Sequence, residues 1–124
     1  MKHLLILASL LVFSVTTVFA KSTLVVVNRG ESTISIIDAD EMKVLATIPV
    51  GNGPHEVVVT ADGKTAIVSN YGDQTPNSSF SIIDIATRKE TKRVDILPLM
   101  RPHGMVEIAG KIYFSAEVNR AIGR

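Results

Sequence analysis

Two histidines stand in the same phrase. Pro54-His55 opens one apolar run and Pro102-His103 opens another. A neutral imidazole is the commonest side-chain ligand of transition metals, and its pKa lies nearest neutrality. Two readings compete. The imidazoles can chelate a divalent ion. Alternatively, each serves the same structural purpose in its own copy: Pro fixes φ at a loop-to-strand junction, and the ring bonds a neighbouring backbone carbonyl. Recurrence favours the structural reading, because an active site needs asymmetry and a repeat supplies sameness. The expectation is therefore no metal, no cofactor and no catalytic residue, with His55, His103, Asn70, Tyr71, Asp73 and Glu117 as ligand-binding candidates.

Other polar groups read as structural. Asp38 and Asp84 each end an Ile-Ile-Asp phrase, where a carboxylate accepts backbone N–H groups of the turn that follows. Asp38, Asp40 and Glu41 are rich enough in oxygen for Ca²⁺, but the second copy has Ala86 and Thr87 there and no EF-hand glycine follows. Asn52-Gly53 and Gly72 are turn residues, because no helix follows to cradle a phosphate. Asn77-Ser78-Ser79 fits the glycosylation pattern, which matters only in a eukaryotic secretory pathway. The absence of Cys excludes disulfides, thiolate metal sites and a Cys nucleophile.

The elements that position these groups follow from self-similarity. Asn28 matches Asn70, Ser35-Ile36-Ile37-Asp38 matches Ser81-Ile82-Ile83-Asp84, Pro54-His55 matches Pro102-His103, and Gly63-Lys64 matches Gly110-Lys111. The phrases lie in short runs rich in Val, Ile, Phe and Thr, several of them alternating, with Asp- and Gly-centred turns between. Four short strands per ~45 residues is the pattern of a β-propeller blade. Lettering the strands from each Pro-His gives one complete blade: A 55–60, B 65–70, C 79–84 and D 92–97. Before it lie B 22–28, C 33–38 and D 43–50; after it come A 104–109, B 111–117 and the start of C. The predicted fold class is all-β, about two and a half blades of four-stranded antiparallel meanders. A ring needs ~4–8 blades, so the chain reads as an incomplete array, or as a small protein that closes its ring by self-association through open blade edges. Strand direction puts the D-to-A and B-to-C loops on one side. That side gathers His55 and His103 with Asn28, Arg29, Asn70, Tyr71, Asp73 and Glu117, near the mouth of the central channel.

Residues 1–20 stand apart. A basic start, an apolar run from Leu4 to Val18 and the sequence Val18-Phe19-Ala20 describe a secretory signal cleaved after Ala20. The apolar run is shorter than the ~20 residues a membrane span requires. The expected location is periplasmic or secreted, with no membrane attachment after cleavage. Residues 21–124 would form the partial propeller. Formal net charge is +1, and without Lys2 the charges balance, so bulk charge gives no grip on nucleic acid.

The run Ile67-Val68-Ser69-Asn70, then Ser-Ile-Ile-Asp, then GxGPH, then Thr60-Ala61-Asp62-Gly63-Lys64, resembles the YVTN-type propeller repeat of extracytoplasmic bacterial proteins. The final segment, Pro102-His103-Gly104-Met105 through Asn119-Arg120-Ala121-Ile122-Gly123-Arg124, also resembles the streptogramin lyase repeat, with Tyr113 in place of Trp and Ala116 interrupting a Thr-Glu pair. The first resemblance implies a repeat type, not an activity; the signal, the repeat and the lack of a singular catalytic cluster point to an exported scaffold that binds a protein or small ligand on its loop face. The second implies a hydrolase or lyase using His and a divalent ion, although its catalytic residues would sit in blades this chain lacks. A redox partnership with a periplasmic dehydrogenase rests on family analogy alone.

Overall fold

The computed structural model describes residues 21–124, and the expected signal at residues 1–20 lies outside the described residues. The alternating runs fold as strands: β1 (Thr23–Asn28), β2 (Thr33–Asp38), β3 (Lys43–Pro49), β4 (Pro54–Val59), β5 (Thr65–Gly72), β6 (Pro76–Asp84), β7 (Lys89–Asp95), β8 (Pro102–Ile108), β9 (Lys111–Ala116) and β10 (Ala121–Gly123). They pair antiparallel in three sheets, β1-β2-β3, β4-β5-β6-β7 and β8-β9-β10. These are partial propeller blades around one four-stranded blade. Among the described residues, no helix is long and apolar enough to cross a membrane.

Strand ends differ from expectation in two informative places. β4 begins at Pro54 and β8 at Pro102, earlier than the expected 55 and 104, so His103 lies inside a strand as His55 does. β7 begins at Lys89, earlier than the 92–97 run suggested. Its sequence, KETKRVD, is mostly exposed. An outer strand with little to bury has no apolar signature, and its start is set by the preceding turn.

Those turns form as the carboxylates predict. Asp38 Oδ1 accepts the N–H groups of Asp40 and Glu41, each at 3.0 Å. Asp84 Oδ1 accepts Thr87 N–H at 2.7 Å and Thr87 Oγ1 at 2.9 Å. Because these donors favour the ionised form, both carboxyls are held below their ordinary value of 3.8: Asp38 chiefly by Glu41 N–H and then the Lys21 ammonium, Asp84 chiefly by Thr87.

The middle sheet is buried on both faces. Ala66, Val68 and Ile83 face the first sheet and pack with Ile34, Ile36, Ile48 and Val50. Ile67 and Phe80 face the third and pack with Phe114 and Ala116. Phe80 and Phe114 meet edge to face, centroids 4.9 Å apart and planes at 84°. Double burial explains why Ala66-Ile67-Val68 is an unbroken apolar run rather than an alternating one. The outward faces of the flanking sheets leave Leu24, Val26, Val106, Ile108 and Ile122 exposed.

The repeated Asn and Ser are a clamp. Asn28 Nδ2 donates to Ser35 Oγ at 2.9 Å, and Asn70 Nδ2 donates to Ser81 Oγ at 3.0 Å. Each ties a B strand to its C strand; the Asn70 pair is fully buried and satisfies polar groups that burial would otherwise strand, while Asn28 is only half-buried.

Candidate functional site

The site is built where A strands begin. In β4 the regular pairing jumps from Pro54 to Val57, and in β8 from Pro102 to Met105. His55-Glu56 and His103-Gly104 therefore occupy bulges, which break strict alternation and re-aim side chains. The first bulge is pinned by Glu56 N–H, which donates to the buried Ser69 Oγ at 2.9 Å. β4 touches β8, so the two bulges from adjacent blades face one another. The His55 and His103 ring centroids lie 4.3 Å apart, and Tyr71 stands 5.1 Å from the first and 5.6 Å from the second.

Tyr71 is placed by the loop before β4. Its N–H donates to Gly53 O at 3.0 Å, and Gly72 N–H donates to Asn52 O at 3.1 Å. Gly53 has φ +57°, and its α-carbon sits against the backbone of Gly72, where a Cβ would lie 2.5 Å from the carbonyl carbon. The Tyr71 hydroxyl donates to Glu117 Oε2 and accepts from Arg101 Nη1 at 3.0 Å. The Arg101 guanidinium also lies 4.7 Å from the Tyr71 ring centroid and donates to Asp73 O at 2.8 Å. Arg29 lies 5.3 Å from the same centroid, donates to Gly72 O at 3.3 Å and pairs with Asp73 Oδ1 at 3.4 Å. All three sheets thus contribute to one rim. Beside it an open cleft of about 370 Å³ is lined by His103, Ser115, Glu117 and Arg120.

The structure brings together five of the six sequence candidates: His55, Tyr71, Asp73, His103 and Glu117. It turns Asn70 away. Asn70 is fully buried, and its amide is committed to Ser79 and Ser81, so it braces the wall behind the rim. His55 Nδ1 does not make the bond to a backbone carbonyl that the structural reading expected. It is buried without a hydrogen-bond partner, and Glu56 Oε1 lies 3.6 Å away, too far for a hydrogen bond. The donor atoms of His55, Glu56 and His103 all lie within 4.8 Å of one another, a set that could hold a metal ion.

Glu56 and Arg101 escaped the sequence reading. Strand alternation assigns Glu56 to the face opposite His55, and only the bulge reverses that. The available signal was departure from the repeat. Where the first copy has Gly53-Pro54-His55-Glu56, the second has Arg101-Pro102-His103-Gly104. Arg101 keeps the left-handed backbone of its glycine counterpart, φ +54°, at a cost of about 1–2 kcal/mol for a residue with a Cβ. Strain of this kind, held by bonds to Tyr71 and Asp73, marks a position whose side chain matters.

No protein-family model matches the chain, and no curated protein matches it. Several solved structures are similar to it, two of them as follows. One is the dihydro-heme d1 dehydrogenase NirN in complex with DHE, with a TM-score of 0.63 and 16% identity over 78% of this chain and 21% of that one. The other is hydrazine synthase of Kuenenia stuttgartiensis, with a TM-score of 0.58 and 18% identity over 82% of this chain and 33% of that one. The chain spans about a fifth of the first and a third of the second. At such identities the likeness speaks for the fold alone. Both neighbours are β-propeller-type proteins, and the three sheets described here are propeller blades.

Proposed function

We propose that this chain is a segment of an exported, YVTN-type propeller scaffold that binds a small ligand or a protein at the A-strand rim and leaves it chemically unchanged. The observation that carries the reading is the convergence of His55, Tyr71 and His103, from adjacent blades, beside an open cleft. Convergent polar and aromatic groups at a concave mouth are the usual form of a ligand site. The surrounding charges suit binding more than turnover. Arg29, Arg101, Asp73 and Glu117 are engaged with one another or with Tyr71, so they orient the rim instead of standing free as acid or base.

One observation favours a second reading, a hydrolase or lyase. The Tyr71 hydroxyl, held between Glu117 and Arg101 next to two imidazoles, is a group that can pass a proton. An NMR screen of the full chain against small polar and aromatic metabolites separates the two. The scaffold reading expects amide shifts confined to residues 53–56, 71–73, 101–104 and 117, with the metabolite recovered intact. Conversion of the metabolite would favour the second reading, and shifts that avoid the rim would sink both.

A further inference from the structure

We infer that His55, Glu56 and His103 form a site for a first-row transition metal, zinc(II) by preference. The inference deepens the rim reading and rests on it for location only.

Four observations converge. The first is geometric. The three donor atoms lie within 4.8 Å of one another. Metal bonds of ~2.0–2.2 Å in a tetrahedron set ligand atoms roughly 3.4 Å apart, so the widest gap must close by no more than about 1.4 Å, and His55 Nδ1 and Glu56 Oε1, 3.6 Å apart, already stand near that spacing. The second is an unmet need. His55 Nδ1 is buried with no partner, an arrangement that costs free energy unless something fills it. A cation supplies that partner. The third is local backbone design. The β4 bulge brings Glu56 toward the histidines, and Ser69 fixes the bulge through Glu56 N–H.

The fourth is broken symmetry. The repeat gives each copy an imidazole but only one copy a carboxylate. Gly104 stands where Glu56 stands, and a Cβ built there meets only Ser115 Oγ, at 3.9 Å. Packing does not require glycine at 104. A larger side chain there would nonetheless point into the same rim, and glycine keeps it open. Sameness argued for a structural histidine; the Glu56–Gly104 difference is the asymmetry that argument lacked.

Charge and donor type select the ion. Two neutral imidazoles and one carboxylate suit zinc, copper or nickel. Calcium and magnesium require mostly oxygen ligands, and this set offers one carboxylate beside two nitrogens. The neighbouring phenol is occupied, since Tyr71 donates to Glu117 and accepts from Arg101. Three protein ligands leave one tetrahedral position open toward solvent. An anionic or nitrogenous ligand arriving at the rim would complete it.

The test is titration of the full chain with Co²⁺, read by its visible absorption, followed by displacement with Zn²⁺. One equivalent should bind with an intense tetrahedral spectrum, and Zn²⁺ but not Ca²⁺ should displace it. Glu56→Gln preserves shape and fold, and should weaken binding at least about 100-fold, the upper end of what even an outer-shell change costs. His103→Ala, checked for folding by circular dichroism, should do the same. Binding unchanged in Glu56→Gln, displacement by Ca²⁺ as readily as by Zn²⁺, or no stoichiometric binding in the parent chain overturns the site. None of these results touches the binding of organic ligands at the rim.

Discussion

Ile83→Ala is expected to lower the unfolding free energy by about 3–4 kcal/mol, the middle of the range for emptying a fully buried aliphatic site. Ile83 is 0% exposed and sits among Ile34, Ile36, Ala66 and Val68, where the middle blade meets the first. Rigid blades cannot collapse onto the space left behind, so the cavity term adds to the lost transfer energy. The effect should be severe, because domains of this size hold only about 5–15 kcal/mol in total. The exposed Leu24, Val26, Val106, Ile108 and Ile122 on the outer faces place this chain near the bottom of that range. Thermal unfolding followed by circular dichroism should show a midpoint lower by roughly 15–25 °C. The control is Ile122→Ala, at a residue 74% exposed, which should change stability by less than ~0.5 kcal/mol. Equal effects at the two sites would mean that the blades do not pack face to face.

Gly53→Ala is expected to do comparable damage by another route, about 3 kcal/mol or more. A left-handed backbone costs a residue with a Cβ about 1–2 kcal/mol. Here the new methyl would also press on the Gly72 backbone, with 2.5 Å to its carbonyl carbon. Neither partner is a flexible side chain, so the loop must move. That movement loosens the bonds from Tyr71 N–H to Gly53 O and from Gly72 N–H to Asn52 O. The loss of stability should therefore come with loss of order at the rim. Urea denaturation gives the first quantity, and the Tyr71 ring resonances give the second. A variant as stable as the parent would show that the loop does not lie on Gly72. Arg101 shows the contrast: it tolerates the same backbone region because its side chain recovers part of the cost through Tyr71 and Asp73.

The fold was legible because each repeated phrase has one physical job. Asn28 and Asn70 recur because each clamps a buried serine, and Asp38 and Asp84 recur because each closes a turn. Repetition exposed those constraints without any structure. It also misled. Asn70 looked like a rim residue from its neighbours in sequence, yet strand alternation turns it inward while Tyr71 reaches the rim. Glu56 was hidden by the opposite failure, since alternation holds only until a bulge interrupts it. Bulges leave no compositional mark in Pro-His-Glu-Val. The polar β7 was placed late because an exposed outer strand lacks the apolar signal on which strand reading depends. The rim residues were legible as a set because strand direction alone decides which loops share a side. Their chemistry was not, because it rests on where the two copies differ.

The central claim is that adjacent blades bring the starts of their A strands side by side. Nuclear Overhauser spectroscopy on the imidazole protons tests it directly, with His103→Ala assigning the two rings. Centroids 4.3 Å apart predict strong cross-peaks between the His55 and His103 rings, and further ones to the Tyr71 ring. Imidazole protons that report only on their own strands, with none between the two rings, would contradict it.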